Sequence, residues 1–225
     1  MPRARINQLT HRQTAASTEH GSGCLSFDSL SVLASFVIVI FISSFAFRKP
    51  IILVSPPGST PISPIFTAEV QHWGADIARW AAASSLDTNL IAVILQIESC
   101  GDPFARSSAG AMGLFQVMPF HFSFGENPYD PEINALRGLN YLSRSLKAAN
   151  GDARLALAGY NGGIGVISRY DWTWSTETKR YVKYGLPIYE DAQSGKTSSP
   201  MLEEWYRKYG AGLCRQASQR LGLNQ

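Results

Sequence analysis

From Leu90 to Ile97 the chain reads LIAVILQI, eight residues with a single polar side chain among them. Asp87 precedes the run as an N-cap, Gly101 follows it, and Pro103 cannot continue it, so the spacing predicts one helix of about three turns. Leu90, Ile91, Val93, Ile94, Leu95 and Ile97 cover most of that helix's circumference. A helix that is apolar nearly all round has no face to give to water and must lie at the centre of its domain. The rest of the fold has to be wrapped around it.

The segments available for wrapping are also helical. Val70, Trp73, Ile77, Trp80 and Ala81 recur at helical spacing and place two tryptophans on one buried stripe. Ile133, Leu136, Leu139, Leu142 and Leu146 do the same over residues 132–148, and shorter helices are predicted over 152–160, 176–184 and 200–208. No segment alternates as a strand. The fold class is therefore mainly α. Gly- and Pro-rich loops, GDPFARSSAGAMG, FGENPYDP and NGGIG, connect the helices.

The chain of 225 residues is long enough for one packed domain and an appended segment. The appended segment is N-terminal. Residues 1–29 are polar, residues 30–47 read LSVLASFVIVIFISSFAF without a charge, and residues 48–65 carry Pro50, Pro56, Pro57, Pro61 and Pro64. At ~1.5 Å per residue the apolar run nearly matches a hydrocarbon core of ~30 Å, which makes it membrane-inserting. Ser44 and Ala46 also fit a signal-peptidase site, so anchor and cleavable signal are both open. The proline-rich stretch is a semi-rigid linker, and the globular domain is expected over 66–225.

A net charge of +3 gives no basic stripe for nucleic acid. The four histidines are scattered and the three cysteines lack paired ligand spacing, so neither a metal nor another cofactor is expected.

Glu98 closes the apolar helix. There, neighbouring hydrocarbon and the negative end of the helix dipole disfavour the carboxylate, and its pKa is expected to rise. An acid kept protonated near neutral pH can protonate the leaving oxygen of a glycosidic bond. Tyrosines and amides further along are the side chains a sugar site uses, the rings for packing on pyranose faces and the amides for orientation.

Four ordered blocks add to this: IESCGDPFARSSAGAMGLFQVMP at 97–119, DPEINALRGLNYL at 130–142, LALAGYNGG at 155–163 and TETKRYVKYGLPIY at 176–189. With these the chain resembles the lytic transglycosylases that carry a soluble-lytic-transglycosylase, or goose-type-lysozyme-like, catalytic domain. The resemblance implies a lysozyme-like helical fold and a bacterial peptidoglycan substrate. It puts the acid/base role on Glu98 and substrate contacts on Ser99, Gln116, Met118, Tyr160, Asn161 and Tyr181. Gly159, where the family commonly has Ala, and Cys100 with Gly101 depart from its pattern.

The acids considered as a second carboxylate, Asp102, Glu126, Asp130 and Glu132, have no marked partner. The resemblance implies that none is needed, because the sugar's own 6-hydroxyl attacks and leaves a 1,6-anhydro-muramyl end. A lysozyme-like hydrolase and a non-catalytic glycan-binding wall protein are the alternatives. The expected location is extracytoplasmic, membrane-anchored or secreted, with glycan strands as partner and the membrane as a second if the segment is uncleaved. Outside the cytoplasm, Cys100 and Cys214 are free to form a disulfide, the alternative being two unrelated buried thiols.

Overall fold

A computed structural model describes residues 62–223 of the chain, all of them within one compact unit. The expected membrane-inserting segment at 30–47 and most of the linker lie outside the described residues, and no helix among the latter is long and apolar enough to cross a membrane. The packed body begins earlier than expected. Ile62 and Ile65 are buried in the core, the Ser63 amide donates to Asn89 at 2.8 Å, and its carbonyl accepts from Gln71 at 2.7 Å. Proline spacing gave no hint of this, since the two isoleucines dock through non-local contacts.

Eight α-helices follow: α1 Ala68–His72, α2 Gly74–Ser84, α3 Thr88–Glu98, α4 Pro131–Ala148, α5 Ala153–Gly162, α6 Thr176–Gln193, α7 Pro200–Trp205 and α8 Ala211–Leu221. The only β pairing among the described residues is two isolated bridges, Arg106 with Met112 and Met112 with Val117. Helix α3 starts where the sequence says it should, with the Asp87 carboxylate accepting from the Leu90 amide at 2.9 Å. Leu90 to Gln96 are all buried, and α1, α2 and α6 pack around them.

The tryptophan stripe is split in two. Trp73 ends α1 and begins α2, stacks on Trp80 with centroids 6.1 Å apart, and donates its indole N–H to the Gly101 carbonyl at 2.8 Å. Helix α6 runs nine residues beyond its expected end, straight through Pro187. A proline costs an internal helix one hydrogen bond, but here Ile188 and Ala192 beyond it are buried and hold the last turns in place. The expected 200–208 helix is likewise part of a longer rod: α7 passes through a π-turn at Tyr206–Gly210 into α8.

Helix α8 is fastened to the turn that follows α3. Cys100 and Cys214 form a disulfide with Cα atoms 5.0 Å apart. Two residues on, the fully buried Asp102 accepts from Arg220 at 2.7 and 2.9 Å and from Gln216 at 2.8 Å. Gln96, buried on the back of α3, contacts both sulfurs.

Candidate active site

Glu98 is the last residue of α3, and the chain leaves it through a sharp turn in which Cys100 (φ 52°) and Gly101 (φ 83°) are both left-handed. A Cβ on Gly101 would stand 2.8 Å from the Glu69 carbonyl, so the close approach as well as the dihedral requires glycine there. The side chain of Glu98 enters a cavity of about 170 Å³ together with Asn161, Glu177, Arg180, Tyr181 and Tyr209. It is half-buried.

Burial pushes the Glu98 carboxyl up to about 8; the Tyr181 phenol opposes the rise and the Glu177 carboxylate adds to it. The Tyr181 hydroxyl is buried without a hydrogen bond of normal length and angle, so its relation to Glu98 is a close polar approach with donor capacity left over. Burial and the neighbouring Glu98 hold the Tyr181 phenol well above its ordinary pKa, which keeps it a donor throughout the physiological range.

Asn161 joins this cavity to a second one of about 270 Å³, lined by Gln116, Met118, Phe120, His121, Tyr141 and Tyr160 among others. Its Oδ1 accepts from Thr178 at 2.9 Å, which leaves the amide N–H groups for the cleft. Tyr160 donates to the Phe115 carbonyl at 2.8 Å and so ties α5 to the loop before Gln116. Gln116, left-handed at φ 47°, donates to Gly113 and Ala105 carbonyls at 2.9 and 3.2 Å, capping the loop while facing the cavity.

Ser99 departs from the expected substrate contact. Fully buried, it lines neither cavity, donates to the Leu114 carbonyl at 2.7 Å and accepts from the Gly101 amide at 3.1 Å. It holds the 113–116 loop against the end of α3. The other departure from the family pattern, Gly159, has a direct cause: a Cβ there would lie 2.3 Å from Ser145 Oγ and 2.6 Å from Ile167.

The loop's main anchor is a residue the sequence did not mark. Asn134, 1% exposed, accepts from the Phe115 amide at 2.8 Å and donates to the carbonyls of Met112 and Pro128, each at 2.8 Å. All its bonds are inside the protein. Asn134→Ala would strand three backbone groups, and a loss of roughly 2–4 kcal/mol in denaturant unfolding is expected; an unchanged midpoint would mean the loop is held elsewhere.

The acids weighed from sequence are all engaged. Asp102 is salt-bridged behind the site, Glu126 pairs with Arg137, Asp130 caps α4, and Glu132 binds Arg79 and Trp80. Glu177, not weighed, is the carboxylate that shares the cavity with Glu98. It is exposed, in the first turn of α6. The expectation that no second carboxylate stands nearby is therefore corrected: the chain fold brings α6 beside α3, a juxtaposition no local spacing reveals. Arg180, Tyr184, Trp205, Tyr209 and Leu213 are the other residues of this cavity that sequence reading passed over. As for a metal, the one group of close acidic and thiol side chains among the described residues, Glu69 with Cys100 and Cys214, has both sulfurs committed to the disulfide.

Residues 76–182 match the transglycosylase SLT domain. It is 38% identical over 112 residues to a transglycosylase of Enterobacteria phage PRD1, covering 49% of this chain and 40% of that protein. It is 30% identical over 87 residues to the membrane-bound lytic murein transglycosylase E of Buchnera aphidicola, covering 33% of this chain and 39% of that protein. The chain thus spans about two fifths of the length of these curated relatives. An inactive mutant of the lytic transglycosylase Slt of Pseudomonas aeruginosa aligns with a TM-score of 0.45 at 27% identity, over 56% of this chain and 25% of that one. Helices α7 and α8 lie beyond the matched segment, yet Trp205, Tyr209 and Leu213 complete the Glu98 cavity.

Proposed function

We propose that the chain is a peptidoglycan lytic transglycosylase that cleaves the β-1,4 bond between N-acetylmuramic acid and N-acetylglucosamine with Glu98 as general acid and then base. The observation that carries this is the half-buried Glu98 carboxyl, held up to about 8 and facing a cavity that shares Asn161 with an aromatic, amide-lined cleft. At neutral pH such an acid is protonated and can give its proton to the leaving glycosidic oxygen. Returned to the carboxylate, it can take the proton of the attacking hydroxyl. Tyr181, whose hydroxyl approaches Glu98, and the Asn161 amide would orient the sugar flanking the broken bond. Attack by the sugar's own 6-hydroxyl is intramolecular and gains from proximity without a second protein carboxylate. The disulfide and the names of the relatives support a site of action outside the cytoplasmic membrane. The uncharged run at 30–47 would serve as tether or export signal.

Glu177 gives the hydrolytic alternative a specific basis, since a second carboxylate in one cavity can activate water. Products of purified peptidoglycan, read by mass spectrometry, separate the two. The transglycosylase reading expects 1,6-anhydro-muropeptides, with Glu177→Gln changing the rate by less than about tenfold and moving the upper limb of the pH profile downward, because a negative neighbour of Glu98 is gone. Reducing ends alone, lost in the Glu177→Gln variant by ~10² or more, would establish the hydrolase.

A further inference from the structure

The cleft does not end at Phe120 and Tyr141. His121 and Tyr141 also line a third cavity, of about 410 Å³, whose remaining wall is Arg137, Asn140, Ser143 and Arg144. Residues 137, 140, 141 and 144 fall on one face of α4 at i, i+3, i+4 and i+7 spacing, so a single helix face runs from the sugar cleft into this outer cavity. An aromatic series connects the two. Phe120 lies 4.5 Å from His121, His121 5.0 Å from Tyr141, and Tyr141 5.7 Å from Tyr160, which donates to the loop beside the acid.

The charges in the outer cavity are unequal in kind. Arg137 is committed to Glu126 and to Ser123. Arg144 is exposed, sits 5.9 Å from the Tyr141 ring centroid, and is paired with no carboxylate among the described residues. Partial burial, followed by the positive field of Arg144, holds the His121 pKa below its ordinary value, so the imidazole between Phe120 and Tyr141 is a neutral ring at pH 7. A neutral aromatic wall ending in an uncompensated guanidinium, with the Asn140 amide and Ser143 hydroxyl beside it, is built for a ligand that is apolar or pyranose-like along its length and anionic at its tip.

We propose that this outer cavity is a subsite for the carboxylate-bearing side arm of the glycan strand, with Arg144 as the residue that reads the negative charge. The proposal rests on the glycan reading of the Glu98 cleft for the identity of the ligand. An arm branching from a sugar held over Met118 and Tyr160 would pass His121 and Tyr141 and deliver its carboxylate to Arg144. Selection at this point favours strands that still carry peptide over bare polysaccharide.

The test is equilibrium binding by titration calorimetry in a Glu98→Gln background, so that nothing is cleaved. The probes are a disaccharide muropeptide with free peptide carboxylates and the same compound with those carboxylates amidated. The full chain should prefer the free acid by about tenfold, the equivalent of one charge-assisted hydrogen bond. Adding Arg144→Ala should bring the ratio to about one, and Arg144→Lys should restore a part of it. Equal affinity of the two probes for the Glu98→Gln protein, or a tenfold preference that survives Arg144→Ala, overturns the subsite. Because binding needs no bond breaking, a wild-type protein that discriminates between the probes but cleaves no glycan refutes the catalytic reading and leaves the subsite standing.

Discussion

Glu98→Gln is expected to abolish glycan cleavage, by at least ~10²- to 10⁴-fold if only the general-acid contribution is lost, while the protein stays folded and still binds its strand. The amide is the same size as the carboxylic acid and is neutral like it, so the cavity keeps its shape; what disappears is the transferable proton. Rates on purified peptidoglycan and binding to the same material give the two halves of the result. Cleavage at wild-type rate would remove Glu98 from the mechanism altogether.

The same substitution has a second, thermodynamic signature. The Glu98 carboxyl is raised from its ordinary 4.5 to about 8, so between these values the folded protein holds a proton that the unfolded chain has released. Stability contributed by the neutral group is fully present below pH ~4.5 and is lost progressively as pH rises toward 8. Gln, which cannot ionise, escapes that loss. The variant should therefore be no more stable than the parent at pH 4 and more stable at pH 8, by roughly 1–3 kcal/mol once the screening of a cleft-facing group is allowed for. Thermal melts of both proteins across that range measure it; parallel curves would mean that Glu98 titrates as an ordinary surface acid.

Removing the disulfide, by Cys100→Ser with Cys214→Ser, should cost roughly 3–5 kcal/mol, because the bond spans 114 residues and restrains a long loop in the unfolded chain. Activity should fall as well. Trp205, Tyr209 and Leu213 belong to the helical rod that the bond fastens, and they wall the Glu98 cavity. Urea unfolding with and without reductant checks the first effect and KM for glycan the second. The Asp102 pair with Arg220, supported by Gln216, is a second fastening. If the double variant loses less than about 1 kcal/mol, that pair holds α8 by itself.

What could be read from sequence followed the range of the interaction that determines it. The central position of α3 was legible because all-round apolarity is local, and its start because Asp87 caps it with a bond to a residue three positions on. The raised pKa of Glu98 was legible from its place at the end of that helix. The loop-holding bond of Ser99 could not be read, because only the folded loop brings the Leu114 carbonyl to its hydroxyl. Glu177 and Asn134 were invisible for the same reason: one becomes part of the cavity when α6 meets α3, the other anchors a loop about twenty residues away. The last nine residues of α6 were not read either, since it is the packing of Ile188 and Ala192 that carries the helix past Pro187.

The fastening of α8 also sets an order of events. Cys100 and Asp102, within four residues of Glu98, find their partners only at 214, 216 and 220. A contact between residues more than a hundred positions apart closes late, after the local helices have formed. During synthesis Glu98 therefore leaves the ribosome well before the residues that steady its turn. The wall that Trp205, Tyr209 and Leu213 give to the Glu98 cavity is thus the last part of it to be synthesised, and the bond between the two sulfurs ties that late segment back to the turn beside the acid.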